Sequence, residues 1–239
     1  MKLFMDPKEN LFHVHTFRCL HASMCEDSVY VERALELNAG SIWFTDHAPF
    51  PGDPFGHRMR YEELEEYLTT LTELKERYQD RIDIHIGLET EYFPSFDKSG
   101  YYRRLRSDER LELLLLGQHM AEDENGDYTF HWDGELLQEG EAKAIGTAIC
   151  QGIRSGYFDI VAHPDRSFRR RKQWTDDMTE IAEQIINTAK QKGVVLELNE
   201  TSKRHKHQYW KEFWELNADQ CPVVIGLDAH SPEELMLEQ

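Results

Sequence analysis

The feature that most constrains the fold of this chain is a regular alternation of short apolar runs with amphipathic helical segments. Strands are predicted at Leu11–His15, Ser41–Asp46, Ile82–Tyr92, Leu111–His119, Asp159–His163, Val194–Asn199 and Pro222–Asp228. Helices are predicted at Ser28–Asn38, Tyr61–Tyr78, Glu139–Ser155 and Asp176–Lys192. Because parallel strands need a crossover connection between them, this alternation predicts a parallel sheet of the α/β class.

Length and charge limit the domain organisation and the partners. The 239 residues suit one α/β barrel, so we predict a single domain over residues 1–239. The net charge of −18 repels phosphate backbones, which disfavours a nucleic-acid partner. No apolar run is long enough to span a bilayer and no signal-peptide pattern is present, so we expect a cytoplasmic protein without a membrane partner. The oligomeric state stays open.

Side chains that can bind metal recur where the predicted strands end. Side chains two positions apart on a strand share a face, so His13 with His15, and Asp228 with His230, can each offer two ligands to one ion. Glu89 lies in an otherwise apolar strand, where a carboxylate needs a partner or a metal to stay ionised. The candidate metal ligands are His13, His15, His21, His47, Glu89, His119, His163, Asp228 and His230. This set is larger than one metal ion needs.

The distribution of these candidates bears on whether the sheet is open or closed. An open doubly wound sheet concentrates its site at one switch point, whereas a barrel collects it from the whole C-terminal rim. Every predicted strand but the sixth ends at or near a candidate ligand, which favours a closed barrel. The irregular stretches 49–60 and 120–140 are then expected to be rim loops, and Trp132 in the second could shape a pocket.

Several histidines and cysteines have other interpretations. A single histidine near an apolar strand is more often a hydrogen-bonded structural residue than a ligand, so the hypothesis depends on the set. Cys19, His21 and Cys25 could form a small zinc knuckle, but no second ligand pair follows, and we expect reduced thiols. Five histidines are interpreted as surface or rim residues: His57, His85, His131, His205 and His207. For His85 this exclusion is open, because it shares the face of Glu89 on a regular strand.

Eight motifs follow one another along nearly the whole chain and together carry a family resemblance. They are Phe12–Thr16 followed by His21, Phe44–Pro49, Arg58–Arg60, Gly87–Glu89, Gly117–His119, Ala162–Asp165, Leu196–Asn199 and Gly226–Ser231. In this order they resemble the PHP family, named for polymerase and histidinol phosphatase, and within it the histidinol-phosphate phosphatase branch. Members often run further than the nine residues that follow His230 here, so either the helix opened by Ser231 and Pro232 is short or the chain is trimmed.

The resemblance implies a distorted seven-stranded (β/α)7 TIM-like barrel with three divalent metal ions, which are zinc, manganese or iron. His and carboxylate ligands are compatible with all three metals. The first implied ligand set is His13, His15, Glu89 and Asp228. The second is Glu89, His119 and His163, and the third is His21, His47 and His230.

The chemistry implied for such a site is hydrolysis of a phosphate monoester, with L-histidinol phosphate as the best single substrate. Clustered divalent ions acidify water and neutralise phosphoryl charge. By resemblance Arg58 contacts phosphate, although it could instead be a solvated arginine beside Glu62, Glu63 and Glu65. Arg169, from a basic cluster after the fifth strand, is a second substrate-binding candidate. Asp228 or a metal-bound water could protonate the leaving group.

Other functions stay open at this point. A PHP phosphoesterase could act on nucleotides, phosphotyrosine or nucleic acid, since PHP domains also accompany DNA polymerases. A metal-binding module without activity is a third hypothesis, but such a role would permit the loss of several ligands, and all nine are present.

Overall fold

Seven strands form one sheet in the computed structural model, which describes residues 5–129, 140–169, 171–205 and 207–237. The strands are β1 (Asn10–Val14), β2 (Ser41–Phe44), β3 (Asp83–Thr90), β4 (Leu113–Leu116), β5 (Ile160–Val161), β6 (Val195–Asn199) and β7 (Val223–Gly226). They follow one another in the sheet in chain order. All seven predicted strands are therefore present, each within or one residue outside its predicted bounds.

Eight α-helices lie between or beside these strands in the described chain. They are α1 (Asp27–Glu36), α2 (Leu64–Tyr78), α3 (Pro94–Lys98), α4 (Tyr101–Arg106), α5 (Glu141–Ser155), α6 (Asp176–Lys192), α7 (Glu200–Arg204) and α8 (Lys211–Asn217). The bounds of α6 are those predicted, and α1, α2 and α5 depart from prediction only at their ends. The short helices α3, α4, α7 and α8 were not predicted. The helix expected after Ser231 is a single 3-10 turn at Pro232–Glu234.

The chain groups into two compact units. Unit A comprises Met5–Glu89, Asp108–Leu114 and the described chain from Ile225, and unit B comprises Thr90–Ser107 and Leu115–Val224. The single domain over residues 1–239 stays a prediction.

Unit A is built around parallel pairing of β1 with β2 and of β2 with β3. The register of β1 with β2 begins at Asn10↔Ser41 and shifts between Leu11 and Val14, so β1 carries an irregularity just where His13 stands. Helix α1 buries Tyr30, Val31 and Ala34, and α2 buries Tyr67, Leu68 and Leu71, which cover the sheet with apolar side chains. The core of unit A therefore holds the carboxyl ends of its strands in fixed positions.

The segment after β7 returns to β1 within unit A. The amide of Leu227 donates to the carbonyl of Phe12 at 2.8 Å, and the amide of His15 donates to the carbonyl of Ala229 at 2.8 Å. First and last strand segments are thus joined, as closure of a barrel requires. With the strand order, this confirms the predicted α/β fold, a distorted seven-stranded (β/α)7 TIM-like barrel.

Unit B pairs β4 with β5 and β5 with β6, again in parallel. Helices α5 and α6 approach closely at Gly146, where an added Cβ atom would collide with Ile181. Gly146 therefore permits the packing that covers this part of the sheet. Within the predicted rim loop 120–140, Glu122 and Tyr128 form an isolated antiparallel bridge. Trp132 and His131 lie outside the described residues.

Each helix of the described chain is too short or too polar to span a lipid bilayer.

Candidate metal centre

Seven of the nine candidate ligands lie in unit A, at the carboxyl ends of its strands and in the turns that follow. His13 is in β1, and His15 and His21 follow it; His47 follows β2; Glu89 is the penultimate residue of β3; Asp228 and His230 follow β7. Because the strands run parallel, their carboxyl ends meet on one edge, which brings residues remote in sequence together. The structure thus gathers these seven side chains as the sequence predicts.

The first group contains His13, His15, Asp228 and Glu89, all buried, with at most 4% exposure. The Nε2 atoms of the two imidazoles lie 2.9 Å apart. Oδ1 of Asp228 is 3.3 Å from Nε2 of His15, and Oε2 of Glu89 is 3.4 Å from Nε2 of each histidine. Four ligand atoms therefore converge among buried side chains, which suits a small cation.

The second group contains His21, His47 and His230, whose ligand atoms all lie within 4.8 Å of one another. The His21 and His230 rings have centroids 4.5 Å apart. Nδ1 of His47 lies 3.0 Å from Oε2 of Glu89, the same oxygen that approaches the first group. Glu89 thus stands between the two groups, in the position from which a carboxylate can bridge two ions.

Hydrogen bonds fix the tautomer of two of these rings. Nδ1 of His21 lies 2.8 Å from the carbonyl of Cys19, and Nδ1 of His230 lies 3.0 Å from the carbonyl of Asp228. Since a carbonyl can only accept, each Nδ1 carries a proton, and in the neutral form of the ring Nε2 is the atom with the lone pair. In metal sites, a hydrogen bond from the ring nitrogen that does not bind the metal orients the histidine ligand in this way.

Two buried imidazole nitrogens in the described chain lack a hydrogen-bond partner, namely Nε2 of His230 and Nδ1 of His15. Buried polar atoms are satisfied in most native structures, so such atoms call for an explanation. For Nε2 of His230 a divalent ion would supply one, because a ring nitrogen of His230 lies within 4.8 Å of ligand atoms of His21 and His47. The residues therefore fit a metal site on their own chemistry.

The pKa values also favour the ligand form of these imidazoles. Burial, followed by the neighbouring His230 and His47, lowers the pKa of His15 well below its usual value. The same causes lower the pKa of His21 to about 4. Both rings are consequently neutral near pH 7, which is the state that binds metal.

The backbone at the first group departs from the regular strand geometry assumed for the two doublets. His13 has φ of 67° and Asp228 has φ of 53°, both in the left-handed region. Simple alternation along a strand is therefore the wrong reason for the convergence, although the side chains do meet. Left-handed conformations of residues other than glycine are uncommon and cluster at functional sites.

Unit B holds the remaining two candidate ligands. His119 follows β4 and His163 follows β5, and their ring centroids lie 5.2 Å apart. Nδ1 of His119 lies 3.0 Å from Oε1 of Glu91, and the amide of His163 donates to Oε2 of Glu197 at 2.9 Å. The structure therefore brings these two histidines together and backs each with a buried carboxylate.

Arg58, the predicted phosphate contact, is 8% exposed and lies in unit A. Its Nε and Nη1 donate to the carbonyls of Gly56 and Ala48, and its guanidinium lies over the rings of Phe50 and Phe55. The alternative of a solvated arginine beside the acidic residues is therefore wrong. It is Arg60 that pairs with Glu62 and Glu63.

Arg169, the second substrate-binding candidate, lies in unit B and donates from Nη2 to the carbonyl of His119 at 3.0 Å. Its neighbours in the basic cluster are used elsewhere, since Arg166 bonds to Ser202 and Arg171 pairs with Asp177. Arg170 lies outside the described residues. The Arg169 guanidinium therefore contacts the backbone of a candidate ligand residue.

The excluded histidines separate into two cases. His85 stacks on Trp43 at 3.8 Å and lies 2.6 Å from a carboxylate oxygen of Glu112, so its exclusion from the site agrees with the structure. His57 is exposed, but its ring centroid lies 5.6 Å from that of His21. The loop 49–60 thus places His57 beside His21, in agreement with its interpretation as a surface or rim residue.

The cysteines do not form a zinc knuckle in the described chain. Cys25 belongs to none of its ligand groups, while Cys19 is buried near His15 and His230. Burial raises the pKa of Cys19 to about 12, so its side chain is a thiol at neutral pH. The expectation of free thiols is consistent with all four cysteines.

Asp46, Glu91 and Glu197 are buried carboxylates beside candidate ligands in the described chain, and sequence analysis did not name them as site residues. Asp46 accepts hydrogen bonds from the amide of Thr16 at 2.7 Å and from its hydroxyl at 2.8 Å. Burial raises the pKa of Asp46 to about 7. In the sequence, only the position of Asp46 directly before His47 indicated that this carboxylate lies near the site.

Known proteins resemble this chain over nearly its whole length. A profile of the PHP domain matches residues 12–201. The histidinol-phosphatase of Bacillus subtilis is 28% identical over 248 residues, covering 91% of this chain and 92% of that protein. A protein assigned the same activity in Deinococcus radiodurans is 25% identical over 237 residues, covering 93% of this chain and 86% of that protein.

Two solved structures share the fold. HisK of Listeria monocytogenes, assigned as a histidinol phosphatase, has a TM-score of 0.78 at 17% identity, covering 95% of this chain and 97% of that one. The histidinol phosphate phosphatase of Lactococcus lactis, solved with zinc, L-histidinol and phosphate, has a TM-score of 0.72 at 19% identity, covering 94% and 87%.

Proposed function

Because the chain belongs to the PHP family, we propose that it is a metal-dependent phosphomonoesterase that hydrolyses L-histidinol phosphate to L-histidinol and phosphate. The observation that carries the proposal is the convergence of seven imidazole and carboxylate side chains in unit A, with a buried ring nitrogen of His230 that has no hydrogen-bond partner. The curated relatives named above support the substrate, and so does the ligand set of the Lactococcus lactis structure.

The proposal assigns the nine ligands to three divalent ions as the family resemblance does. His13, His15, Glu89 and Asp228 would hold the first ion, and His21, His47 and His230 the third. The distances within unit A support these two sets. Glu89, His119 and His163 would hold the second ion, and here the support is the family resemblance and the proximity of the two rings in unit B.

The ions would supply Lewis-acid polarisation of the phosphoryl oxygens and would acidify a water molecule. The protein contributes positive charge at a defined place. Arg58 is proposed to bind the phosphoryl group, since two backbone carbonyls and two aromatic rings hold its guanidinium plane. A guanidinium held in this way can meet a phosphate with paired hydrogen bonds and little loss of side-chain entropy.

Two further residues have proposed roles. Arg169 would contact the substrate from unit B, because its bond to the carbonyl of His119 keeps it beside a candidate ligand. Asp228 would take on its carboxylate the proton that the attacking water gives up and would pass it to the leaving alkoxide oxygen. Its left-handed backbone fixes the direction of that carboxyl group.

The test is phosphate release by purified, metal-loaded protein over a panel of substrates. We expect L-histidinol phosphate to be hydrolysed with a higher kcat/KM than nitrophenyl phosphate, nucleoside monophosphates or phosphotyrosine peptide. Chelation should abolish release, and zinc, manganese or iron added singly should identify the metal that restores it. Higher kcat/KM on nucleotides or the peptide contradicts the substrate, and release unchanged by chelation contradicts the metal-dependent mechanism.

A further inference from the structure

His119 differs from His21 and His230 in the partner of its Nδ1 atom. For His21 and His230 that partner is a neutral backbone carbonyl. For His119 it is Oε1 of Glu91, a carboxylate with 1% exposure, at 3.0 Å. A charge-assisted hydrogen bond is stronger than a neutral one and makes the imidazole a better electron donor at its other nitrogen.

The backbone around Glu91 is tied to the segment that carries His119. The amide of Tyr92 donates to Oε1 of Gln118 at 2.8 Å, and Nε2 of Gln118 donates to the carbonyl of Tyr92 at 3.2 Å. The hydroxyl of Tyr102 donates to the carbonyl of Glu91 at 2.9 Å. These contacts set the distance between the carboxylate and the imidazole before any ligand is present.

We propose that Glu91 is a positioning residue that fixes the Nδ1–H tautomer and the orientation of His119, and so strengthens Nε2 of that ring as a metal ligand. This inference rests on the proposed function, because it requires His119 to hold a divalent ion. It adds to that function a prediction about one ion: the affinity for the ion that His119 binds should depend on the Glu91 carboxylate at Nδ1 of that ring.

The chain offers a matched control for this pair. Glu112 forms the same kind of carboxylate–imidazole contact with His85, at 2.6 Å and away from the candidate centre. Glu112→Gln therefore removes an equivalent contact without touching a candidate ligand. Two variants remove the contact in steps. Glu91→Gln keeps an oxygen acceptor but removes the negative charge, and Glu91→Leu removes both the acceptor and the charge.

The experiment is titration of the apo-protein with Zn²⁺ against a chromophoric chelator. We expect Glu91→Gln to weaken the binding of one metal equivalent by about 10- to 100-fold. Glu91→Leu should weaken it further, while Glu112→Gln should bind as the wild type does. The visible spectrum of Co²⁺-loaded protein should change in Glu91→Gln and stay unchanged in Glu112→Gln.

A double-mutant cycle separates positioning from a general effect on folding. In a His119→Ala background the same equivalent is already weakened, so adding Glu91→Gln should have no further effect on Zn²⁺ affinity. An undiminished effect in that background overturns the inference, as does wild-type affinity in both Glu91 variants. A wild-type protein that binds no divalent ion overturns the proposed function and this inference together, an outcome distinct from the other two.

Discussion

Oε2 of Glu89 lies 3.0 Å from Nδ1 of His47, and the backbones of the two residues form a parallel bridge. The amide of Glu89 donates to the carbonyl of Asp46, and the amide of Ala48 donates to the carbonyl of Glu89. Two main-chain hydrogen bonds to the segment after β2 therefore fix the backbone from which this carboxylate projects.

Glu89→Gln should lower kcat by more than about 100-fold, because the amide removes the charge proposed to bridge two ions. Zn²⁺ affinity should fall with it, while the apo-protein keeps its fold because the side chain keeps its size. Phosphate release, metal analysis and circular dichroism of one preparation test this prediction. Wild-type turnover in a metal-depleted variant would place the activity elsewhere.

Metal binding should stabilise the folded protein. The ligands are gathered only in the native state, so each ion adds its binding free energy to folding, about 2.7 kcal/mol at 100 times its Kd. Thermal unfolding should therefore occur at a higher temperature with Zn²⁺ than with a chelator. His230→Ala should reduce that difference, and an equal difference in this variant would argue against His230 as a ligand.

Arg58→Ala should reduce kcat/KM by about 10- to 100-fold, as loss of a hydrogen bond from a charged donor predicts. Arg58→Lys should recover only part of this, since an ammonium group cannot reproduce the planar pair of donors. Arg60→Ala is the control, because Arg60 pairs with Glu62 and Glu63 on the surface. Steady-state kinetics of the three variants decide the matter, and equal losses at both positions would refute the role of Arg58.

The Glu112 carboxylate should make the free energy of unfolding depend on pH. Burial raises its pKa, but hydrogen bonds from His85 and Lys75 outweigh burial and lower the pKa to about 2, from 4.5. Its stabilising contribution should thus be complete above pH 4.5 and should disappear as pH falls through about 2. Urea midpoints of the wild type and Glu112→Gln should differ at pH 6 and converge near pH 2; a constant difference would contradict the prediction.

Strand order and most of the candidate ligands could be predicted from sequence because both follow from local patterns. The apolar run Ser41–Phe44 predicts β2 because of its composition. A polar residue directly after a buried strand lies on the rim of the barrel, because that is where the carboxyl end of each strand stands. The same logic located His119 and His163, which follow β4 and β5.

What could not be predicted depends on contacts between distant segments. The left-handed backbone of His13 arises where β1 meets both β2 and the segment after β7, and no local pattern encodes that meeting. Glu91 is one acidic residue among 45, and only its approach to His119 distinguishes it. The burial of Arg58 depends on Phe50 and Phe55 folding back over it.

The positive φ angles of His13 and Asp228 have an evolutionary consequence. Strained backbone of this kind costs of order 1 kcal/mol or more at each position, and glycine would relieve it. In the metal-free protein glycine at either position should therefore be stabilising, whereas histidine and aspartate keep the imidazole and carboxylate atoms that the proposed ions need. Directed evolution of the chelator-treated protein for heat tolerance, without an activity screen, should therefore replace these two residues early.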